Sequence, residues 1–394
     1  MHLFDEVSRP NTGPALYGEP RSEYLNRSGR PTATRVRRVL EDWFSRYPIG
    51  EQRELKARLR SEDDEHFYSA FFELYLHELL TRLDYKVQVH PRIPGGTLRR
   101  PDFLVEKLGI EPFYLEAAIT MDLSKEEAAA EARVNQAYDA LNRLESPDFF
   151  LWLKVYGSPA TPIPAKRLRA AVAKFLHQQD PQECTRLLYE GGLSALPSRK
   201  FSHDGWIIEY TTIAKSPEAR GEPGVRPVGI IMPGAVQRLD KTSAVRTKIR
   251  GKGSGYGDLG LPYIVAVNAV TQRLENEDSI EILFGSEQLI FSQSNPELRC
   301  VRVLDGVWTS RGRPTNRRVS AALIVSSLIP WSIARCVPVV YHNPWASRPC
   351  HNTLAELTTV LPIDDNMELR NGIGAAELFS LSSDWPGSDD DNDA

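Results

Sequence analysis

Residues 99–119, RRPDFLVEKLGIEPFYLEAAI, decide the fold that the sequence predicts for this chain. Two short runs rich in apolar and β-branched residues, PDFLVE and PFYLEAAIT, are separated by KLGIE, which has the composition of a turn. The stretch therefore predicts two strands joined by a tight connection. Because side chains alternate between the faces of a strand, Asp102 on the first strand and Glu116 on the second can bring their carboxylates together.

Such a pair of acids is a candidate metal site. Two carboxylates held close together repel each other unless a cation lies between them. Mg²⁺ and Mn²⁺ bind oxygen ligands of this kind together with water, and such an ion can activate a bound water molecule for phosphodiester cleavage. Asp102 and Glu116 are therefore the predicted metal ligands. The alternative is that both acids are exposed strand residues without a ligand, because this spacing is also common by chance.

The segments around this stretch predict one α/β unit over residues 61–157. Residues 61–85 carry apolar side chains at helical spacing, and Ser61 with Asp64 indicates a helix start of the capping-box type. YKVQVHP (85–91) alternates as a strand, and PGG (94–96) predicts a turn. A second helix follows over 124–146, and FFLWLKVYG (149–157) predicts a fourth strand.

This order of helix, three strands, helix and strand resembles the PD-(D/E)xK superfamily, which has the restriction-endonuclease-like fold. The residues that carry the resemblance are Pro101-Asp102 and Glu116, preceded by Glu73 in the first helix. The resemblance implies an α/β fold with a mixed sheet flanked by helices. It also implies a Mg²⁺ or Mn²⁺ cofactor held by Asp102 and Glu116.

The same resemblance implies roles for further groups near the metal. Glu73 would be a third acid that contacts the ion directly or through water, and Glu78 is the fallback for that role. The backbone carbonyl of Ala117 would complete the ligand shell. Both glutamates could equally be exposed helix residues.

One expected residue is missing from the family pattern. In the family a lysine lies two residues after the glutamate, where it orients or deprotonates the attacking water, but this chain has Ala118 there. Lys154, inside the apolar run FFLWLKV, is the preferred replacement, ahead of Gln136 and Lys86. The alternative for Lys154 is a structural role, because a lysine near a strand end often extends its ammonium group to water.

Positive charge is concentrated locally in a chain whose net charge is −4. Residues 21–60 hold eleven Arg and Lys against five acids, residues 238–252 hold six basic residues and one acid, and SRGRPTNRR (310–318) holds four and none. Such segments can bind phosphates. The residues predicted to contact a nucleic-acid backbone are Arg246, Lys248, Arg250 and Lys252. Solvated helix faces and loops are the alternative.

The rest of the chain gives coarser predictions. The domain organisation is an N-terminal basic arm and helix (1–60), the restriction-endonuclease-like core (61–157), a C-terminal α/β extension of unknown role (158–380) that completes the core or forms a second domain, and an acidic disordered tail (381–394). Strands are predicted at 262–270 and 280–285. Four cysteines without regular spacing indicate no disulfide framework, and with no apolar run long enough for a membrane and no secretory signal they predict a cytoplasmic protein.

The predicted function is a metal-dependent nuclease that hydrolyses phosphodiester bonds of nucleic acid, DNA in preference to RNA. A setting in defence or repair is implied by the resemblance alone. The alternative is a catalytically inactive module of the same fold that binds nucleic acid or a partner protein, and a third hypothesis is a protein–protein adaptor. No membrane is expected as a partner, and the sequence leaves a homodimer or a complex with a partner protein open.

Overall fold

A computed structural model describes residues 1–93, 99–121, 125–157, 159–221, 226–233, 241–271, 273–292, 295–336, 338–363 and 366–389. The turn predicted at 94–96, the helix start predicted at residue 124 and the last part of the predicted tail, 390–394, lie outside these residues. The chain divides into two units. Unit 1 consists of Met1–Pro14, Pro20–Asp122 and Leu239–Ala394, and unit 2 consists of Ala15–Glu19 and Leu123–Arg238.

The helices of the described residues are, in chain order, α1 (Arg21–Arg27), α2 (Pro31–Arg46), α3 (Gln52–Leu59), α4 (Asp64–Arg82), α5 (Lys125–Leu141), α6 (Ala165–Leu176), α7 (Pro181–Gly191), α8 (Lys241–Gly253), α9 (Asn276–Phe284) and α10 (Ala375–Leu378). The strands are β1 (Lys86–Val89), β2 (Phe103–Lys107), β3 (Ile110–Thr120), β4 (Phe149–Tyr156), β5 (Ser198–His203), β6 (Trp206–Ala214), β7 (Val228–Pro233), β8 (Tyr263–Ala269), β9 (Glu287–Ser292), β10 (Asn295–Arg302), β11 (Thr309–Ser310), β12 (Arg313–Pro314), β13 (Ala321–Ser326), β14 (Val339–His342), β15 (Thr358–Ile363) and β16 (Asn366–Arg370). No helix among the described residues is both long and apolar enough to cross a membrane.

Unit 1 is built around a mixed sheet of eight strands in the order β1-β2-β3-β8-β13-β14-β15-β16. Strands β1, β2 and β3 form an antiparallel meander, and β3, β8 and β13 run parallel to one another. Strand β8 is buried at every residue. This burial explains its nearly continuous apolar sequence YIVAVNA, because a parallel strand in the middle of a sheet is covered on both faces.

Helices cover both faces of this sheet. On one face, residues of α1–α4 and α10 share a hydrophobic core with Leu115 and Ile119 of β3. On the other face, α8 and α9 share a second core with Tyr114 and Ala118 of the same strand. The predicted α/β class, with a large mixed sheet flanked by helices, is therefore confirmed.

Helix α4 lies almost entirely inside unit 1, with residues such as Phe71 and Leu76 fully buried. It begins after Asp63, whose carboxylate accepts hydrogen bonds from the backbone N–H groups of Glu65 and His66 at 2.8 and 3.4 Å. The N-cap residue of the helix is therefore Asp63, two residues after the predicted Ser61.

Unit 2 has a sheet and a core of its own. Its four strands lie in the order β5-β6-β4-β7. Residues of α5, α6 and α7 pack with Leu151 and Leu153 of β4 and with Trp206 and Ile208 of β6.

The predicted fourth strand, 149–157, is β4, and it pairs with β6 and β7 rather than with β3. The neighbour of β3 is instead β8, which α8 precedes. Both α5–β4 and α8–β8 give the same helix–strand order after β3, so local patterns cannot decide between them. The unit boundaries therefore fall inside both the predicted core, 61–157, and the predicted extension, 158–380.

Two further predictions do not hold. The predicted strand at 280–285 belongs to helix α9, because Glu275 and Asp278 form a reciprocal capping box that starts a helix there. The part of the predicted disordered tail that the structure describes, 381–389, packs against the rest of unit 1. Trp385 is 6% exposed in the core of unit 1, and Asp389 pairs with Arg30 at 3.0 Å.

Candidate functional site

The carboxylates of Asp102 and Glu116 belong to neighbouring antiparallel strands. The register pairs Phe103 with Leu115, and its continuation places Asp102, just before β2, opposite Glu116. Residues opposed in this way have Cβ atoms roughly 4.5–5.5 Å apart. One oxygen of Asp102 accepts a hydrogen bond from the backbone N–H of Ala117 at 2.6 Å. The antiparallel arrangement predicted for the two acids is therefore present.

Glu116 is buried, with 5% of its surface exposed, and both of its oxygens have partners. The Lys252 ammonium group is 2.6 Å from Oε1, and the Tyr256 hydroxyl group is 2.9 Å from Oε2. Burial and the negative charge of Glu116 raise the pKa of Tyr256 above its ordinary value, so the phenol is a neutral donor. The carboxylate is thus held by one cation and one hydroxyl group.

Helix α8 brings Lys252 to this position. Val245 and Ile249 of α8 are fully buried in the core beneath the Tyr114–Ala118 face of β3. Residues four and seven positions after Val245 lie on the same side of a helix. Lys252 therefore follows these apolar residues along the face that packs on the sheet, and its ammonium group reaches the strand residue Glu116.

Glu73 and His90 lie on another side of Asp102. Glu73, on α4, accepts hydrogen bonds from the hydroxyl group of Tyr47 and from Arg58, the latter at 2.7 Å. His90 follows β1, and its backbone N–H donates to the carbonyl of Asp102 at 2.8 Å. Glu73, His90 and Asp102 each offer one ligand atom, and these atoms lie within 4.8 Å of one another.

The charges around Asp102 are unbalanced. Glu73 pairs with Arg58 and Glu116 pairs with Lys252, whereas Asp102 has no ion pair among the described residues. Burial, followed by the charges of Glu116 and Glu73, raises the pKa of Asp102 to about 7, against the smaller opposing effects of the Ala117 N–H and Lys252. A divalent cation would relieve this repulsion, and carboxylate and imidazole groups are suitable ligands for Mn²⁺, and carboxylates for Mg²⁺.

The three residues considered as replacements for the family lysine lie elsewhere. Lys154 belongs to β4 of unit 2, with its ammonium group 4.5 Å from the ring centre of Trp152. Gln136 lies on α5 of unit 2. Lys86 is exposed on β1 and faces Glu106 at 3.5 Å. The cation beside Glu116 is Lys252, which the sequence assigned to phosphate binding instead.

The fallback acid Glu78 has a different environment from Glu73. Its carboxylate pairs with Arg46 and with Arg82, each at 2.8 Å. These two guanidinium groups balance its charge on α4. Glu73 is thus the acid of this helix that the structure brings together with Asp102.

The other predicted phosphate-binding residues lie along α8. Arg246 donates to the backbone carbonyl of Glu281 at 3.1 Å, and Arg250 donates to that of Gly306 at 2.9 Å. Lys248 is half-buried on the same helix. The first two side chains therefore help to hold α8 against α9 and the segment after it, and a role in nucleic-acid binding stays a prediction for all three residues.

Sequence reasoning did not identify Tyr47, His90 or Tyr256 as members of the site. His90 carried a usable signal, since the strand predicted over 85–91 contains it, and pairing of Val89 with Phe103 continues to place His90 opposite Asp102. Tyr256 lies four residues after Lys252 in a glycine-rich loop whose path the sequence does not define. Tyr47 ends the segment before Pro48, and nothing local links it to Glu73.

Comparisons with protein-family models, with curated proteins and with solved structures find no match to this chain.

Proposed function

We propose that this chain is a metal-dependent nuclease that hydrolyses phosphodiester bonds of nucleic acid, with DNA favoured over RNA by the resemblance to the PD-(D/E)xK superfamily. The observation that carries the proposal is the contact of 2.6 Å between Lys252 and Glu116, next to Asp102. It supplies the acid, acid and lysine set that the family pattern requires, although the lysine comes from a helix instead of from position 118. The order α4, β1, β2, β3, α8, β8 supports a restriction-endonuclease-like core.

In this proposal Asp102 and Glu116 bind Mg²⁺ or Mn²⁺, with Glu73 and His90 as additional donors. When bound, the ion activates water and neutralises the charge that develops on the phosphate. The hydrogen bond from the Ala117 N–H fixes the orientation of the Asp102 carboxylate. Tyr47 and Arg58 likewise fix the Glu73 carboxylate.

Lys252 has two roles in the proposed reaction. Its ammonium group holds Glu116 in place. The remaining N–H groups lie close to the two acids, where one of them can donate a hydrogen bond that orients the attacking water. A positively charged group also stabilises the negative charge that builds up on the phosphate during cleavage. Tyr256, held neutral by its raised pKa, keeps the second oxygen of Glu116 in a fixed orientation.

The test is cleavage of labelled single- and double-stranded DNA and RNA in Mg²⁺, in Mn²⁺ and in EDTA. We expect cleavage in the presence of either ion, and its loss in Asp102→Asn and Glu116→Gln. Glu106→Gln is the matched control, because Glu106 is an exposed acid on β2 whose partner is Lys86. Nucleic-acid binding without cleavage, unchanged in the two site variants, would contradict the proposal and support the non-catalytic module.

A further inference from the structure

A cleft of about 440 Å³ in unit 1 adjoins the residues that hold Glu116. It begins at Gly253, the residue after Lys252, and Tyr256 forms part of its wall. The hydroxyl group of Tyr256 contacts Glu116 at 2.9 Å. The cleft and the proposed catalytic site therefore share a wall.

Two arginines give the cleft a positive side. Arg318 is exposed and donates to the backbone carbonyl of Tyr256 at 3.2 Å, and among the described residues it forms no direct ion pair with a carboxylate. Arg348 is 3.7 Å from Asp258, which is the one acid among the described lining residues. Guanidinium groups bind phosphate oxygens in a fork-like geometry. The cleft can therefore accept a phosphate.

The lining of the cleft also has an apolar side. Leu259 and Leu261 are half-buried and offer apolar surface, whereas Tyr256 and Tyr263 are buried and pack against each other with ring centres 5.9 Å apart behind the lining. Apolar surface can pack against a base irrespective of its identity, because every base has a flat face. A phosphate-binding side and an apolar side in one cleft match the two parts of a nucleotide.

The volume of the cleft limits which ligands can enter it. Small-molecule sites occupy roughly 300–1,000 Å³, and the cleft lies at the lower end of this range. A base inside a duplex is stacked and paired, and it enters a pocket only after it is extruded from the helix. A nucleotide of a single strand has no such requirement.

We propose that this cleft binds one unpaired nucleotide of the substrate strand beside the bond that is cleaved. The chain then acts on single-stranded nucleic acid or on unpaired ends in preference to blunt duplex. This inference rests on the proposed nuclease function and specifies its substrate class. Arg318 and Arg348 bind the phosphate, and Leu259 and Leu261 contact the base.

The first test measures binding in EDTA, where no cleavage occurs. The probes are a fluorescein-labelled single-stranded DNA oligonucleotide and a blunt duplex of the same sequence, followed by fluorescence anisotropy. Arg318→Ala and Arg348→Ala should each weaken binding of the single strand about tenfold, as expected for the loss of a charged hydrogen bond, and change duplex binding by less than about twofold. Arg335→Ala is the matched control, because Arg335 is also exposed and donates to a backbone carbonyl, that of Trp331. Equal weakening of binding for both probes, or no weakening for either, would overturn the proposal that this cleft binds an unpaired nucleotide.

The second test separates this inference from the proposed function. Wild-type protein in Mn²⁺ is given the single strand, the blunt duplex and a duplex with a single-stranded end. Faster cleavage of the first and third substrates supports the inference. Cleavage of the blunt duplex at the same rate overturns it while the nuclease function stands. If no substrate is cleaved, the nuclease function fails, and the inference about its substrate fails with it.

Discussion

The Glu116 carboxylate is held from two sides, by the ammonium group of Lys252 and by the hydroxyl group of Tyr256. Asp102 has a backbone N–H as its donor and two carboxylates as neighbours. The two acids of the proposed metal site are therefore unequal before any ion binds. Glu116 is already neutralised by a cation, and Asp102 is the group that gains most from a bound metal.

The position of Lys252 predicts that its removal strongly slows cleavage. Lys252→Met should lower the single-turnover rate by about 100-fold or more, the usual contribution of a positioned acid–base group. Lys154→Met provides the comparison, because that lysine stacks on Trp152 in unit 2, and we expect its rate to stay within about twofold of wild type. Loss of activity in Lys154→Met with retention in Lys252→Met would reverse the assignment.

The raised pKa of Asp102 predicts that metal binding depends on pH. Because this pKa is about 7 in the metal-free protein, the carboxyl group is largely protonated at pH 6 and ionised at pH 8. A metal ion must displace the proton at the lower pH. Mn²⁺ affinity measured by calorimetry should therefore fall about tenfold per pH unit below 7 and level off above about pH 8.

Asp102→Asn is the control for this pH dependence. It cannot ionise, so its Mn²⁺ binding should be weak and should lack the step near pH 7. A wild-type affinity that stays constant between pH 6 and pH 8 would show that Asp102 is not the group that exchanges a proton for the metal.

At the scale of elements, the start of α4 gives a further prediction. The Asp63 carboxylate satisfies two backbone N–H groups that the helix itself leaves without partners. Asp63→Ala should lower the free energy of unfolding by about 1 kcal/mol in urea titrations, whereas Asp63→Asn should keep most of the stability because Asn is an equally good cap. An equal loss in both variants would contradict the capping role.

The elements with a strong local pattern were predictable from the sequence. Helices α2 and α4 and strands β2, β3 and β8 follow the periodicity of their apolar residues. Helix α9 was not predicted, because the short run IEILF fits a strand as well as a buried helix, and its start at Glu275 decides between them. Local pattern thus fails to specify an element where a short apolar run fits a strand and a helix equally well.

The same distinction holds for the candidate site. Asp102 and Glu116 come together through a hairpin of neighbouring strands, so strand alternation was sufficient to pair them. Lys252 reaches Glu116 through the crossing of α8 over β3, a long-range contact without a local signal. Sequence reasoning therefore identified the two acids and assigned the lysine beside them to another role.

At the scale of the whole molecule, each unit has its own hydrophobic core, and this separation can be tested. Ile208 of β6 is fully buried in the core of unit 2. Ile208→Ala should destabilise that unit by about 2–5 kcal/mol, seen as faster hydrogen exchange of its amides, and leave Mn²⁺ affinity unchanged.

Ile264→Ala is the matched variant in unit 1. Ile264 is fully buried in β8 and pairs with Leu115, the neighbour of Glu116. Ile264→Ala should speed the hydrogen exchange of the amides of unit 1 and weaken Mn²⁺ binding. Loss of Mn²⁺ binding in Ile208→Ala would show that the metal site depends on the core of unit 2.

The distance along the chain between Glu116 and Lys252 has a consequence for synthesis. The two residues are 136 positions apart along the chain, and in the folded protein Nζ of Lys252 lies 2.6 Å from Oε1 of Glu116. Translation proceeds from the N-terminus, so a growing chain carries both acids while residues 123–238 and then α8 are still being added. The lysine arrives last. A ribosome-bound fragment therefore lacks the complete proposed centre until Lys252 has been added and α8 has folded onto β3.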